Sequence, residues 1–237
     1  MQMKTWRYLR YLHLRETFAK VAGEVETVVV CGTGHGYAEL ALAIEFPHVR
    51  FTLTDIVAPG PTPEHPHYPI YHGAMKLAWA HGVENVGFSI WDVLQPTKRR
   101  FDMVCSTEML EHIEQDERAA ANMRATATKY VYCLVPFADK ATNANAGKRQ
   151  RILERMGHYV CGYDAEDMKR LFPDPVELAG TYWRDAGAVL RARLQEMDAA
   201  EIPKAYDELA SLARKDLLAS VPLLSAEAQG IKILSRA

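Results

Sequence analysis

Long apolar runs are missing from this chain. None reaches the ~18 residues that a membrane-crossing helix needs, and the opening stretch MQMKTWRYLR sets Arg7 and Arg10 among aromatics where a secretory signal would carry its apolar core. No membrane span is expected, and the expected location is cytoplasmic. Cysteine is also scarce. The four that occur, Cys31, Cys105, Cys133 and Cys161, form neither a CxxC pair nor a zinc spacing, so reduced thiols fit better than a disulfide framework. Charge of one sign is lacking too: a formal net charge of −2 with mixed signs supplies no basic footprint and argues against a nucleic-acid partner. Repeats and low-complexity tracts are absent. What remains is a chain of 237 residues, about half apolar, able to bury a core as one domain with an insertion.

Helical and strand periods alternate along it. Trp6, Leu9, Leu12 and Phe18 recur about one turn apart in 5–21, which predicts an amphipathic helix capping the cofactor pocket or the sheet edge. Strands are predicted over 28–31, 49–54, 86–90, 101–105 and 130–135, with helices over 37–46, 72–82 and 109–127. Strands alternating with helices mean an α/β, doubly wound, mostly parallel sheet. The connection IVAPGPTPEHPHYPIYHG is rich in proline, which disfavours a helix and predicts a surface loop. PFADKATNANAGKRQ also reads as a polar loop, and Asp164 as the N-cap of a short helix ending before Pro173. Strands over 176–183 and 230–234 bring the sheet to seven. Between them Leu190, Leu194, Met197, Tyr206, Leu209 and Leu212 repeat at helical spacing, a helical insertion suited to core packing, dimerisation or a lid. The expected layout is a single domain: cap helix 1–24, cofactor-binding core 25–183, insertion 184–228 and last strand 229–237. The oligomeric state is open, a homodimer among the options.

Residues 28–36 read VVVCGTGHG: strand-forming valines run into glycines, and Asp55 ends the next apolar run. This is the pattern of a nucleoside site, since glycines let the backbone turn close to a ligand and a carboxylate about 20 residues on fits ribose hydroxyls. A dinucleotide fingerprint needs G-x-G-x-x-G, whereas Gly32, Gly34 and Gly36 are spaced G-x-G-x-G. Farther on, FSIWDV places Asp92 to accept from an adenine amino group, with Ile90 and Trp91 flanking the ring. The glycine loop, Asp55, the Trp91-Asp92 pair and FDMVCSTEMLEHIE together resemble the ordered motifs of class I S-adenosylmethionine-dependent methyltransferases over 25–183. The resemblance implies S-adenosyl-L-methionine as cofactor. Gly32, Gly34 and Gly36 would border its methionine part, Asp55 would hold its ribose and Asp92 with Trp91 its adenine, with Cys31, Thr33, Ile56 and Val93 also among the cofactor-binding residues. His35 either touches the cofactor carboxylate or fills a tolerant loop position.

Glu108, Glu111 and His112 follow the fourth strand. If a helix has begun by Glu108, the i, i+3 and i, i+4 spacings put all three on one side. They would then suit a divalent metal, with His158 as a fourth ligand; Mg or Mn is the expectation, although imidazoles also accept Fe, Co or Zn. STEMLEHIE resembles the corresponding segment of ubiquinone-biosynthesis O-methyltransferases and of small-RNA 3′-terminal 2′-O-methyltransferases, both of which use a Glu-x-x-Glu-His metal site. The competing reading has no metal: the glutamate favours a helix N-terminus and the histidine lines the pocket. His112, His158 or Glu108 would then carry the catalysis, an imidazole serving as base. His65, His67 and His72 read as exposed loop histidines, and Asn143 and Asn145 as polar loop residues or substrate contacts.

The expected activity is methyl transfer to a small-molecule acceptor, at a hydroxyl oxygen, with a divalent metal chelating the substrate. The alternatives are an RNA 2′-O-methyltransferase, a metal-independent N- or C-methyltransferase with a histidine base, and a non-catalytic cofactor-binding protein.

Overall fold

A computed structural model describes residues 5–56, 68–181, 188–197, 201–216 and 229–237. In chain order these form α1 (Thr5–Phe18), β1 (Thr27–Cys31), α2 (Tyr37–Glu45), β2 (Arg50–Asp55), α3 (Tyr68–Ala80), β3 (Val86–Ile90) and β4 (Phe101–Thr107). There follow α4 (Asp116–Thr126), β5 (Ala127–Pro136), α5 (Lys140–Ala144), α6 (Ala146–Met156), α7 (Ala165–Leu171), β6 (Pro175–Thr181), α8 (Ala188–Gln195), α9 (Tyr206–Asp216) and β7 (Gly230–Arg236). The seven strands are ordered β3-β2-β1-β4-β5-β7-β6. β1, β2 and β3 pair in parallel, as do β4 and β5, whereas β7 runs antiparallel to β5 and β6. The expected α/β fold is therefore present, its one reversed strand making the sheet mixed.

The chain divides into two compact units, Met1–Trp91 with Tyr182–Ser220, and Asp92–Thr181 with Val221–Ala237. In the first, Val28, Val29 and Val30 of β1 are buried, as a strand covered on both faces requires. α1 buries Tyr8, Leu9, Tyr11, Leu12 and Phe18, and the Phe18 ring meets Phe46 at 5.0 Å and Phe51 at 5.9 Å. Arg15 and the Tyr11 hydroxyl both bond the Glu45 carboxylate, at 2.8 Å each, and the Arg15 guanidinium lies 3.6 Å over the Tyr206 ring. The described part of the insertion thus packs on α1 and buries Leu190, Leu194, Met197, Tyr206 and Leu209, the core-packing use of its apolar period.

In the second unit β5 is buried from Val131 to Val135 between β4 and β7. Asp164 caps α7 as the sequence suggests, and Asp167 completes a capping box. Three sequence-based boundaries are corrected. α3 begins at Tyr68, inside the proline-rich connection, because Pro69 falls in the first turn where a missing N–H costs nothing; residues 57–67, with His65 and His67, lie outside the described region. The stretch read as a polar loop holds α5 and α6, each started by a side-chain cap, Asp139 accepting from the Thr142 N–H and Asn145 from the Lys148 N–H. Neither helix has a buried residue. The helix expected over 109–127 begins only at Asp116.

Phe18→Ala removes a ring packed on both α2's end and β2, and is expected to cost about 3–5 kcal/mol in urea-monitored unfolding. Trp79→Ala, at a side chain 69% exposed, should stay within about 0.5 kcal/mol.

Candidate active site

In the first unit, parallel pairing aligns Cys31 with Thr54, so the turn after β1 lies beside the end of β2. The Thr33 N–H donates to the Thr54 carbonyl (3.0 Å), and the Gly34 N–H donates to Asp55 Oδ2 (3.2 Å). The Ile56 N–H donates to Asp55 Oδ1 (2.8 Å), so both oxygens are aimed while each keeps a further lone pair. Gly36, at φ +63°, starts α2; a Cβ there would stand 3.1 Å from both Ala74 Cβ and Thr33 Cγ2. Burial pushes the Cys31 thiol up, so this position offers backbone and not a reactive sulfur. Ile90 pairs with Asp55, and Ile56 and Ile90 are each 55% exposed, two apolar side chains in water beside a carboxylate. The half-buried Trp91 donates its N–H to the Asp55 carbonyl (3.1 Å). His35 stacks on Tyr37 with centroids 5.6 Å apart.

Asp92 and Val93 open the second unit. Asp92 Oδ1 accepts from the Leu94 N–H (2.9 Å), closing its own turn, and the buried Val93 accepts from Asn122 through its carbonyl (2.8 Å).

The Glu-x-x-Glu-His segment is not an α-helix. Glu108 sits at φ +51°, the one non-glycine residue with positive φ among those described, and its N–H donates to the Leu134 carbonyl (2.7 Å). Residues Leu110–His112 then make a single 3₁₀ turn. The helical i, i+3 premise therefore fails for Glu108. Glu111, His112 and His158 do converge: each offers a ligand atom, all within 4.8 Å of one another, and Glu108 is not among them. Glu111 is fully buried and His158 nearly so, while His112 is exposed.

His158 reaches this place on a strap, 157–163, that leaves the end of α6. Gly157 ends the helix at φ +72°, and a Cβ there would lie 3.6 Å from His112 Nδ1. The Tyr159 N–H donates to the Glu111 carbonyl (2.8 Å), and the rings of His112 and His158 meet edge to face at 4.4 Å. Asn143 bridges the strap's far side, accepting from the Cys161 N–H (3.0 Å) and donating to the Gly162 carbonyl (2.9 Å). Tyr163 donates its hydroxyl to Asp116 (3.0 Å). Asn143 and Asn145 thus bond backbone, one as clasp and one as helix cap. Burial, and then the charge of His112, pushes the His158 imidazole down to about 4. It is neutral at physiological pH, as a metal ligand must be. Gly157, Gly162 and Tyr163 had no legible role in the sequence, and Asn143 read only as a polar loop residue or substrate contact, because the groups they meet, His112, the Pro136 carbonyl, Asp116 and the strap backbone, lie far away in the chain. His72 lies in α3, and its side chain is outside the described region.

A family described as "Methyltransferase domain" matches residues 3–174. No curated protein matches. Among solved structures, the chain is similar to a putative sarcosine dimethylglycine methyltransferase from Galdieria sulphuraria, with 14% identity, a TM-score of 0.60, and coverage of 97% of this chain and 84% of that one. It is also similar to magnesium protoporphyrin IX methyltransferase from Synechocystis PCC 6803, crystallised with bound SAH, at 15% identity, TM-score 0.55, and 75% and 80% coverage. The [4+2]-cyclase SpnF matches at 14% identity, TM-score 0.59, and 95% and 80% coverage. At such identities the likeness shows the fold alone, and a cyclase among the neighbours underlines that fold does not fix chemistry.

A Cβ at Gly162 would stand 2.5 Å from the Pro136 carbonyl oxygen, so Gly162→Ala should displace the strap and lower the melting temperature by several degrees in calorimetry. His158 protonates more readily unfolded, at its ordinary 6.5, than folded, at about 4. Its contribution is complete above pH 6.5 and is lost as pH falls towards 4, amounting to about 2–3 kcal/mol between pH 7 and pH 4.5. Chelator-treated His158→Gln protein should show a correspondingly flatter pH dependence of unfolding.

Proposed function

The chain belongs to the methyltransferase-domain family, as a class I S-adenosylmethionine-dependent methyltransferase, and from that premise we propose that it methylates a hydroxyl oxygen of a small molecule with the help of a divalent metal. One observation carries the acceptor side: a buried carboxylate, Glu111, grouped with two imidazoles, His112 and His158, within 4.8 Å. Such a donor set fits a divalent cation, since a buried carboxylate is stabilised by a positive charge beside it and a neutral imidazole is ready to ligate. A cation held by Glu111, His112 and His158 would supply the charge that lowers an acceptor hydroxyl's pKa.

The chain's own residues do the rest. Asp55, its oxygens aimed by the Gly34 and Ile56 amides, accepts from the ribose hydroxyls of S-adenosyl-L-methionine. Gly32 and Gly34 leave room for its methionine part, and Ile56, Ile90 and Trp91 offer apolar surface to the adenine, with Asp92 accepting from its amino group. Support for the donor comes from the family, and from solved neighbours that carry SAM or SAH. His158 stays neutral and fixes His112 by ring contact. Glu108 holds the strained turn that presents Glu111 and His112. Alignment of acceptor oxygen, methyl carbon and sulfur is the main catalytic contribution.

A second reading follows from the exposure of His112. Without metal, His112 takes the acceptor proton as general base, and N- or C-methylation becomes as accessible as O-methylation.

S-adenosylhomocysteine at about 100 times its dissociation constant should stabilise the protein by about 2.7 kcal/mol, read as a thermal shift. The shift should vanish in Asp55→Ala, and its absence in the unaltered protein would sink the donor assignment. Mn2+ titrated into chelator-stripped protein should bind with 1:1 stoichiometry by calorimetry and weaken at least tenfold in Glu111→Gln; no binding would leave the histidine-base reading standing.

A further inference from the structure

α6 is an exposed helix with an unusual division of its surface. It carries Lys148, Arg149, Arg151 and Arg155 against one carboxylate, Glu154, and none of its residues is buried. In the same unit Lys140 pairs with Glu166 and Arg170 with Glu117. Glu154 accepts instead from Gln150 (2.7 Å), and among the described residues Arg151 and Arg155 make no ion pair. At 100° per residue, Lys148, Arg151 and Arg155 form one row, and Ile152, Leu153 and Met156 lie beside it with Arg149 among them. Leu153 is 36% exposed and Met156 54%, and Tyr159, just past the helix end, is 45% exposed. A row of cations beside a row of apolar side chains has no structural use on a helix that buries nothing.

The same helix delivers the site. Its last turn runs into Gly157, where a Cβ would stand 3.6 Å from His112 Nδ1, and then into His158. An acceptor lying along α6 would thus have its reactive end at the Glu111, His112 and His158 group. Resting on the methyl-transfer reading above, we propose that α6 is the acceptor-docking surface and that the acceptor is an anionic amphiphile. Its apolar body packs on Leu153, Met156 and Tyr159, and a carboxylate, sulfate or phosphate pairs with Arg151 and Arg155. Charge complementarity sets the anion, because Arg side chains match such groups bidentately. Apolar exposure beside them sets the body.

The test compares two aromatic diols by calorimetry on the full chain, in the presence of S-adenosylhomocysteine: 6,7-dihydroxynaphthalene-2-sulfonate and the uncharged 2,3-dihydroxynaphthalene. The sulfonate should bind at least tenfold more tightly, and the preference should shrink as NaCl is raised. Arg151→Ser with Arg155→Ser should remove that preference while changing the neutral diol less than twofold. Leu153→Ser with Met156→Ser should weaken both diols. Each variant should keep the thermal shift with S-adenosylhomocysteine, since it touches no cofactor residue. Equal binding of the two diols, with that shift intact, would overturn the docking proposal alone; loss of the shift in the unaltered protein would overturn the methyl-transfer reading itself. Co-sedimentation with phosphatidylglycerol vesicles, without discrimination between the free diols, would also overturn the proposal and mark α6 as a lipid-surface helix.

Discussion

Parallel pairing of β1 with β2 is the constraint on which the contact between the glycine loop and Asp55 depends. Parallel neighbours end on the same side, so the turn after Cys31 and the carboxylate after Thr54 meet without any long-range design of their own. The Thr33 and Gly34 amides then bond Thr54 and Asp55. Once those bonds exist, the glycine loop cannot drift, and Asp55 cannot swing away from it. Gly36, at φ +63°, starts α2 where a Cβ would crowd Ala74 and Thr33 at 3.1 Å.

The second unit solves a different problem. Glu111 and His112 come from the end of β4, but His158 comes from beyond β5, α5 and α6, and three cross-links hold it in place. Tyr159 bonds Glu111 through backbone, Asn143 holds Cys161 and Gly162, and Tyr163 reaches Asp116. These polar clasps act beside the buried Cys161 and Tyr163 side chains to hold a loop that carries a buried imidazole. They also explain why α5 and α6, which bury nothing, are present: their ends, Asn143 and Gly157, position the strap.

Much of this was legible beforehand. β1, β2, β3 and β5 are apolar runs near the expected positions, and the glycine spacing with Asp55 leads directly to the observed contact. α6 was not legible, because five of its 11 residues are charged and its start depends on the Asn145 cap. The same holds for the start of α3, where proline counts against a helix by composition and not by position. Glu108 shows the limit most plainly. Spacing alone placed it with Glu111 and His112, but the backbone turns left-handed there and the group closes without it.

The sequence by itself determined the α/β class, the buried parallel strands and the glycine turn beside Asp55, because each follows from local periodicity or from residue types with narrow backbone roles. Only the tertiary structure decided which of the acidic and imidazole groups meet. Convergence of Glu111, His112 and His158 depends on a left-handed turn, a single 3₁₀ turn and a strap held by the Tyr159–Glu111 backbone hydrogen bond, the Asn143 clasp and the Tyr163–Asp116 bond, pairings between residues distant in the chain that no local pattern records.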